Sequence, residues 1–220
     1  MISAEFMAKL GEGTLATLYM TIFTTIFGYV VGLPCGIVLS LTGKGGLKEN
    51  KVIYRIFDVI VNLIRSVPFL ILIIVLMPYT KKIVGQSYGT KATLVPLVVC
   101  AAPFIARIVE NSLREVDDGV VEAARAMGAD TFTIVTKVLL VEAKTSLLDG
   151  ATLAVGTILG YSAMAGIVGG GGLGDIATRY GYYRFDPEKM WITVVLLVIL
   201  VNILQAIGIN VSKKTDKRRV

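Results

Sequence analysis

The stretch VDDGVVEAARAMGADTFTIVTKVLLVE, residues 116–142, is a polar segment between two long apolar stretches of the chain. Asp117 and Asp118 are acidic residues of the type that favours the start of a helix. Gly128 follows AARAM, where a left-handed C-terminal residue is favoured, and Asp130 or the residue after it can cap a second helix. The stretch therefore predicts a helix, a turn and another helix.

The first of these helices carries little side-chain bulk. Three alanines, Ala123, Ala124 and Ala126, surround Glu122 and Arg125. Another protein could approach such a surface closely, so we predict a docking surface. Because apolar stretches flank it on both sides, the surface should lie at the face of a membrane.

The composition is that of a membrane protein. Of 220 residues, 55% are hydrophobic and 17% are charged, which is outside the range of ordinary soluble domains. The chain has no histidine, and its two cysteines, Cys35 and Cys100, fall inside apolar runs. These counts argue against a zinc site, histidine-dependent catalysis and a disulfide.

The net charge of +6 could suggest nucleic acid as a partner. The basic residues concentrate instead in loops and in a C-terminal tail, which carries Lys213, Lys214, Lys217, Arg218 and Arg219. This distribution favours contact with acidic membrane lipid and no nucleic-acid binding.

Five stretches are long and apolar enough, or nearly so, to cross a bilayer as helices. They cover residues 13–43, 52–78, 92–113, 146–168 and 190–211. In the first stretch, Gly32, Pro34 and Gly36 should kink the helix. We predict an all-α polytopic membrane protein with five transmembrane helices and with its termini on opposite sides.

The distribution of lysine and arginine predicts the orientation. With the N-terminus outside, most of these residues lie on the cytoplasmic side, at residues 44–55, 114–144 and 213–219. The predicted docking surface is then cytoplasmic, and so is the C-terminus.

The second and third stretches carry polar stripes at helical spacing. The stripes consist of Arg55, Asp58, Asn62, Arg65 and Ser66 in one helix, and of Arg107, Glu110, Asn111 and Arg114 in the other. Ionisable groups inside a membrane must be paired with other charges or solvated by water. Glu110 can pair with Arg107 and with Arg114. Two interpretations remain open: salt bridges that hold the cytoplasmic halves of the helices together, or a solvated lining of a transport route.

A glycine-rich segment follows the fourth stretch. Gly169, Gly171 and Gly174 have the spacing of a dinucleotide-binding fingerprint. That fingerprint requires a preceding strand and a soluble βαβ unit, whereas these glycines follow a transmembrane helix. We interpret the segment as a flexible or tightly packed outer loop.

No enzyme can be assembled from these residues. The sequence contains no G-x-x-x-x-G-K-[ST] motif for holding ATP and no evident nucleophile with its base. A five-helix membrane protein with a docking surface is most simply a transport subunit that another protein drives.

Residues 122–140 resemble a known motif. Glu122, Ala123 and Ala124, then Gly128, then Val138-Leu139-Leu140 are similar to the EAA loop of ABC importer permeases. In that family the loop forms coupling helices that sit in a groove of the ATPase subunit. The resemblance implies a coupling loop at about residues 116–142, in which the ATPase-coupling residues are Glu122, Ala123, Ala124, Arg125 and Gly128. The proline that usually follows the last leucine is Val141 here, which leaves open how the loop bends at its end.

The resemblance extends over nearly the whole chain. The motifs NLIRSVPF (62–69), APFIARIVEN (102–111), EAARAMGA (122–129), GYSAMAG (160–166) and GGGGLGDIATRYGY (169–182) are together similar to methionine-import permeases. This similarity implies the type I ABC importer permease fold, a single transmembrane permease domain over residues 1–220, and a place in the bacterial inner membrane. It also implies a homodimer, two ABC ATPase subunits inside and a methionine-binding protein outside, with no cofactor and no metal.

For the transport pathway or gate, we select Tyr161, Ser162 and Met164, with Ser66 and Pro68 across from them. Gly160 and Gly166 bracket the segment and permit close helix approach. Met164 is flexible and apolar, as suits a gate past which a thioether substrate slides. Ordinary helix packing would explain the same residues.

Three other functions remain open at this point. The chain could be a permease for another small amino acid, or a scaffold or signalling subunit of the membrane. An ion-coupled secondary transporter would be expected to show inverted repeats, and the sequence has no internal repeat.

Overall fold

The computed structural model describes residues 4–215, and these are almost entirely helical. Three residues of the predicted basic tail, Lys217, Arg218 and Arg219, lie outside the described part. The longer helices are α1 (Ala4–Thr42), α2 (Lys51–Ser66), α3 (Phe69–Val84), α4 (Thr90–Arg114), α5 (Asp118–Ala126), α8 (Lys144–Ala165) and α10 (Pro187–Thr215). Short elements complete the chain: α6 (Thr131–Thr133), a π-helix (Ile134–Leu139), α7 (Leu140–Glu142), a 3₁₀ turn (Gly166–Val168), α9 (Gly172–Ile176) and a second π-helix (Ala177–Tyr183).

Four helices, α1, α4, α8 and α10, are each long and apolar enough to cross a membrane. The helices α2 and α3 meet the same criterion only as a pair, and they are bent by 104° at a short break. The predicted count of five is reached when this bent pair is taken as one span beside the four continuous helices.

The second predicted stretch, residues 52–78, is wrong as a single helix. Pro68 has no backbone N–H, and it forces the preceding Val67 into an extended conformation with φ −82° and ψ 124°. The helix therefore stops at Ser66 and restarts at Phe69, and α3 continues past Pro78 to Gly85, whose φ is +84°. The two halves of the sequence stretch point in different directions.

The helix α4 lies at the centre of the chain and contacts α1, α2, α3 and α8. Its most extensive interface is with α1, where Gly28, Gly32 and Gly36 face it. A Cβ on Gly32 would lie 2.7 Å from the carbonyl oxygen of Ala102, and one on Gly36 would lie 2.5 Å from that of Ala106. The helix α1 continues through Pro34. These glycines allow close backbone contact between the two helices.

The glycine-rich segment is tightly packed. A Cβ on Gly174 would lie 2.0 Å from the carbonyl oxygen of Ala163, and Leu173 is fully buried. The Leu173 N–H donates a 2.9 Å hydrogen bond to the Thr17 hydroxyl of α1. Of the two interpretations of this loop, close packing is the one observed, and no strand precedes it within residues 4–215.

Candidate functional site

The predicted helix–turn–helix begins with α5. The Asp117 side chain accepts a 2.8 Å hydrogen bond from the Gly119 N–H and thereby caps the helix. At the other end, Gly128 has a φ of +83°, and its N–H donates to the Arg125 carbonyl at 2.9 Å. This is the left-handed turn that the sequence predicts, because glycine adopts a positive φ without a steric penalty.

The second helix of the motif is irregular. The Asp130 side chain caps it by accepting from the Thr133 N–H at 3.0 Å, and hydrogen bonds from Thr133 lower the pKa of the Asp130 carboxyl. After three residues the backbone changes to the π-helix, which buries Ile134, Val135 and Leu139. The chain then turns at Ala143, so a break in the helix is present although the family's proline is Val141 here.

The exposed surface of α5 differs from the predicted one. Ala124 is buried, in the same apolar cluster as Val116 and Ile134, and it cannot contact a partner directly. The sequence analysis grouped Ala124 with its neighbouring alanines by composition, which does not show which of them faces inward. Glu122, Ala123 and Ala126 remain exposed.

Two large apolar side chains on this surface were missed from the sequence. Met127 is 82% exposed and Phe132 is 74% exposed, one on each side of the Gly128 turn. Their position on both sides of the predicted Gly128 turn, in an otherwise polar stretch, is the signal that could have identified them.

Arg125 lies at the inner edge of this surface. Its guanidinium donates a 3.1 Å hydrogen bond to the carbonyl oxygen of Leu47, in the loop between α1 and α2. One of the predicted coupling residues therefore holds α5 against a neighbouring loop.

The candidate gate residues are only partly brought together. The rings of Phe69 and Tyr161 stack with their centroids 4.9 Å apart, which joins the start of α3 to α8. Pro68 immediately precedes Phe69, and Met164 is 46% exposed one turn beyond Tyr161. Pro68, Tyr161 and Met164 thus lie in one region of the molecule.

The two serines selected with them make local contacts. The Ser162 hydroxyl is buried and donates to the Leu159 carbonyl at 2.7 Å. The Ser66 hydroxyl donates to the Asn62 carbonyl at 2.7 Å on its own helix. Ser162 thus contributes to packing inside α8, whereas Ser66 is exposed at the bend between α2 and α3.

The polar stripes of α2 and α4 pair with each other. The Arg107 guanidinium contacts Asp58 at 2.6 Å, Asn62 at 3.1 Å and Glu110 at 2.6 Å. Glu110 is only 1% exposed and also contacts Arg114 at 2.9 Å. We call this set, Asp58, Asn62, Arg107, Glu110 and Arg114, the polar bridge.

Two further contacts complete the bridge, and four residues of the predicted stripes lie outside it. The Tyr54 hydroxyl donates to Glu110 at 3.2 Å, and the Asn62 amide donates to Asp58 at 3.1 Å. Arg65 and Asn111, predicted members of the stripes, are exposed and take no part in these contacts. The pairing across helices fits the salt-bridge interpretation of the stripes better than a solvated lining.

No group of cysteine, aspartate and glutamate side chains within residues 4–215 has the arrangement of a metal site.

Comparison with known proteins identifies the family. Residues 28–214 match the family model of the binding-protein-dependent transport system inner membrane component. The chain belongs to this family. Its fold is that of the type I ABC importer permeases, and it is a transport component of the membrane and not an enzyme.

Relatives of this permease are similar over nearly their whole length. The probable D-methionine transport system permease protein of Vibrio cholerae is 48% identical over 205 residues, which cover 93% of this chain and 91% of that one. The methionine import system permease protein of Bacillus subtilis is 43% identical over 212 residues, 96% of each chain.

Solved structures agree with the permease fold. A chain of the MetNI methionine ABC transporter, in an inward-facing conformation, superposes with a TM-score of 0.96 at 46% identity and covers 98% of this chain and 100% of its own length. A chain of an amino acid ABC transporter superposes with a TM-score of 0.80 at 17% identity over 96% of this chain and 95% of its own length, which supports the fold alone.

Proposed function

We propose that this permease forms the translocation pathway of an ATP-driven methionine importer. The observation that carries the proposal is the combination of full-length similarity to methionine permeases with a small, exposed α5 surface that is suited to docking. In this proposal a methionine-binding protein delivers the substrate outside, and two separate ATPase subunits hydrolyse ATP inside.

The proposed orientation has the N-terminus outside and the C-terminus in the cytoplasm. The excess of lysine and arginine near α5, the α1–α2 loop and the C-terminal end of α10 supports it. The loop at residues 116–142 then faces the cytoplasm, where ATP is available. The glycine-rich segment, at the other end of α8, faces the binding protein.

A homodimer is proposed because one chain cannot enclose a pathway. The side chain of Met164 lies on an open face of α8, next to Gly160, which is also exposed. A second copy related by a two-fold axis would close this face and would present a second α5 to the second ATPase subunit.

The proposed mechanism is a rigid-body movement of the docking helices. When ATP draws the two ATPase subunits together, each α5 moves with the groove that holds it. ATP binding to the ATPase subunits can shift the transporter between inward-facing and outward-facing states only because ATP binds these two states with different affinities. Met127 and Phe132 would fill apolar parts of the groove, and the Glu122 carboxylate would pair with a cation of the ATPase.

The test is reconstitution. The permease is purified with its ATPase subunit, placed in proteoliposomes with the binding protein, and supplied with radiolabelled methionine and ATP. We expect uptake that requires ATP and that is lost when the P-loop lysine of the ATPase is replaced. Failure of the active complex to accumulate methionine, or equal uptake of an unrelated small amino acid, would contradict the proposal.

A further inference from the structure

The polar bridge lies between the α5 surface and the bend that separates α2 from α3. On one side of it, α4 ends at Arg114, and α5 begins at Asp118. Leu113 and Val116 are buried in the same apolar cluster as Ala124 of α5. A displacement of α5 must therefore carry the end of α4 with it, since packed apolar contacts resist deformation.

On the other side, α2 depends on the bridge for its position. Val61 is the one buried residue that α2 has, and it packs against Leu39 and Ala106. Arg107 of α4 contacts Asp58 and Asn62 of α2. Tyr54 of α2 also contacts α4, through its hydroxyl to Glu110 and its ring to Arg114. A second attachment is the loop before α2, which Arg125 holds through Leu47.

The chemistry of the bridge suits the transmission of force. The Glu110 carboxylate lies between two guanidinium groups and is shielded from solvent. Charge-assisted hydrogen bonds of this kind are directional, and separating a buried carboxylate from its partners is costly. The contacts of Glu110 with Arg107 and Arg114 hold the end of α4 together. The contact of Arg107 with Asp58 joins that end to α2.

The far end of α2 leads to the candidate gate. Ser66 ends α2, and Phe69, at the start of α3, stacks on Tyr161 of α8. A rotation or shift of α2 would alter the bend at Val67 and Pro68 and hence the position of that stack.

We infer that the polar bridge is the mechanical link that converts movement of α5 into movement at the α2–α3 bend, with Asp58 and Arg107 as its positioning residues. The inference rests on the proposed function and deepens it, because it assigns the step between the ATPase and the gate. It also gives the polar stripes a role other than lining the route.

The first test compares transport with ATP hydrolysis in the same proteoliposomes. Asp58→Asn removes one charge of the bridge and keeps the side-chain size, at a position that is 29% exposed, so folding is not threatened. We expect the ratio of methionine imported to ATP hydrolysed to fall about tenfold, as the loss of a hydrogen bond to a charged group implies. Hydrolysis itself and assembly with the ATPase should persist.

Arg55→Gln is the matched control. It removes a charge from the same helix three residues earlier, at a side chain that has no ion pair within residues 4–215. The control should show the same ratio of methionine imported to ATP hydrolysed as the unmodified permease. Combining Asp58→Asn with Arg107→Gln should lower the ratio no further than Arg107→Gln alone, because the two residues act as one unit.

A second test does not depend on the substrate. In a permease whose Cys35 and Cys100 are replaced by alanine, Ser66→Cys places one thiol at the bend, and its labelling is measured with and without ATP. We expect ATP to change the labelling rate, and Asp58→Asn to remove that change.

Two results would overturn the inference: an ATP response at Ser66→Cys that Asp58→Asn leaves intact, or equal losses of coupling in Asp58→Asn and Arg55→Gln. Failure of the unmodified permease to import methionine would refute the proposed substrate, whereas the labelling test would still decide the role of the bridge.

Discussion

The Glu122 carboxylate is exposed on α5 and has no hydrogen-bond or ion-pair partner within residues 4–215. It precedes the exposed Ala123 on the predicted docking helix. An exposed charge there can speed the association of an ATPase subunit and fix its orientation, and it contributes little to the stability of the permease.

Reversing this charge tests its role. Glu122→Lys should lower ATP-dependent uptake about tenfold or more, because a cation on the ATPase would then face another cation. Membrane insertion and the amount of folded protein should not change. Uptake by proteoliposomes is the measurement, and Glu188→Lys at the start of α10 is the control for a charge reversal elsewhere. Normal uptake by Glu122→Lys would remove Glu122 from the coupling surface.

Several single residues of this surface could be placed from the sequence. Asp117, Asp130 and Gly128 have roles fixed by local chemistry, namely caps and a left-handed turn, and the structure confirms all three. The inward direction of Ala124 could not be predicted, because it depends on packing against α4 and the π-helix.

At the scale of the helix, close contact between α1 and α4 organises the fold. Gly28, Gly32 and Gly36 recur at every fourth position and form one face of α1. The same spacing occurs at small-residue interfaces between membrane helices, where backbones come together because side chains are absent. The sequence predicts a kink at Gly32 and Gly36, and their spacing also indicates an interface.

The interface predicts a clear difference between two glycines of α1. Gly36→Ala places a methyl group 2.5 Å from the Ala106 carbonyl oxygen and 2.6 Å from the Val109 Cβ, so the helices must separate. We expect a loss of about 1–3 kcal/mol in stability, as is typical of overpacked sites. Gly11→Ala is the control, because its methyl group would meet no atom within 4 Å. Thermal unfolding of both variants in detergent measures the difference, and equal melting temperatures would contradict the packing.

The helix α2 shows what periodicity can and cannot predict. The polar stripe of α2 follows correctly from its helical spacing, and so do the contacts of Glu110 with Arg107 and Arg114 within α4. The 104° bend between α2 and α3 was not predicted, although Pro68 marks the break. Pairing between the two stripes was one of two interpretations left open, because it depends on the position of α4, which no local pattern specifies.

At the scale of the whole molecule, the proposed orientation determines which partner meets which end. It can be tested in the background without Cys35 and Cys100. A membrane-impermeant thiol reagent should label Gln86→Cys, in the exposed α3–α4 loop, in intact cells. It should label Glu122→Cys only after the membrane is opened. The reverse pattern would place α5 outside and would contradict the proposed coupling.

The central claim is that an ATPase subunit drives this permease by binding the exposed face of α5. The most direct measurement is thiol cross-linking in the assembled transporter from Ala123→Cys, with Gln86→Cys as the control. We predict that Ala123→Cys forms a cross-link to the ATPase subunit and that ATP changes its yield. A complex that is active in ATP-dependent uptake but in which only Gln86→Cys reacts with the ATPase would contradict the account.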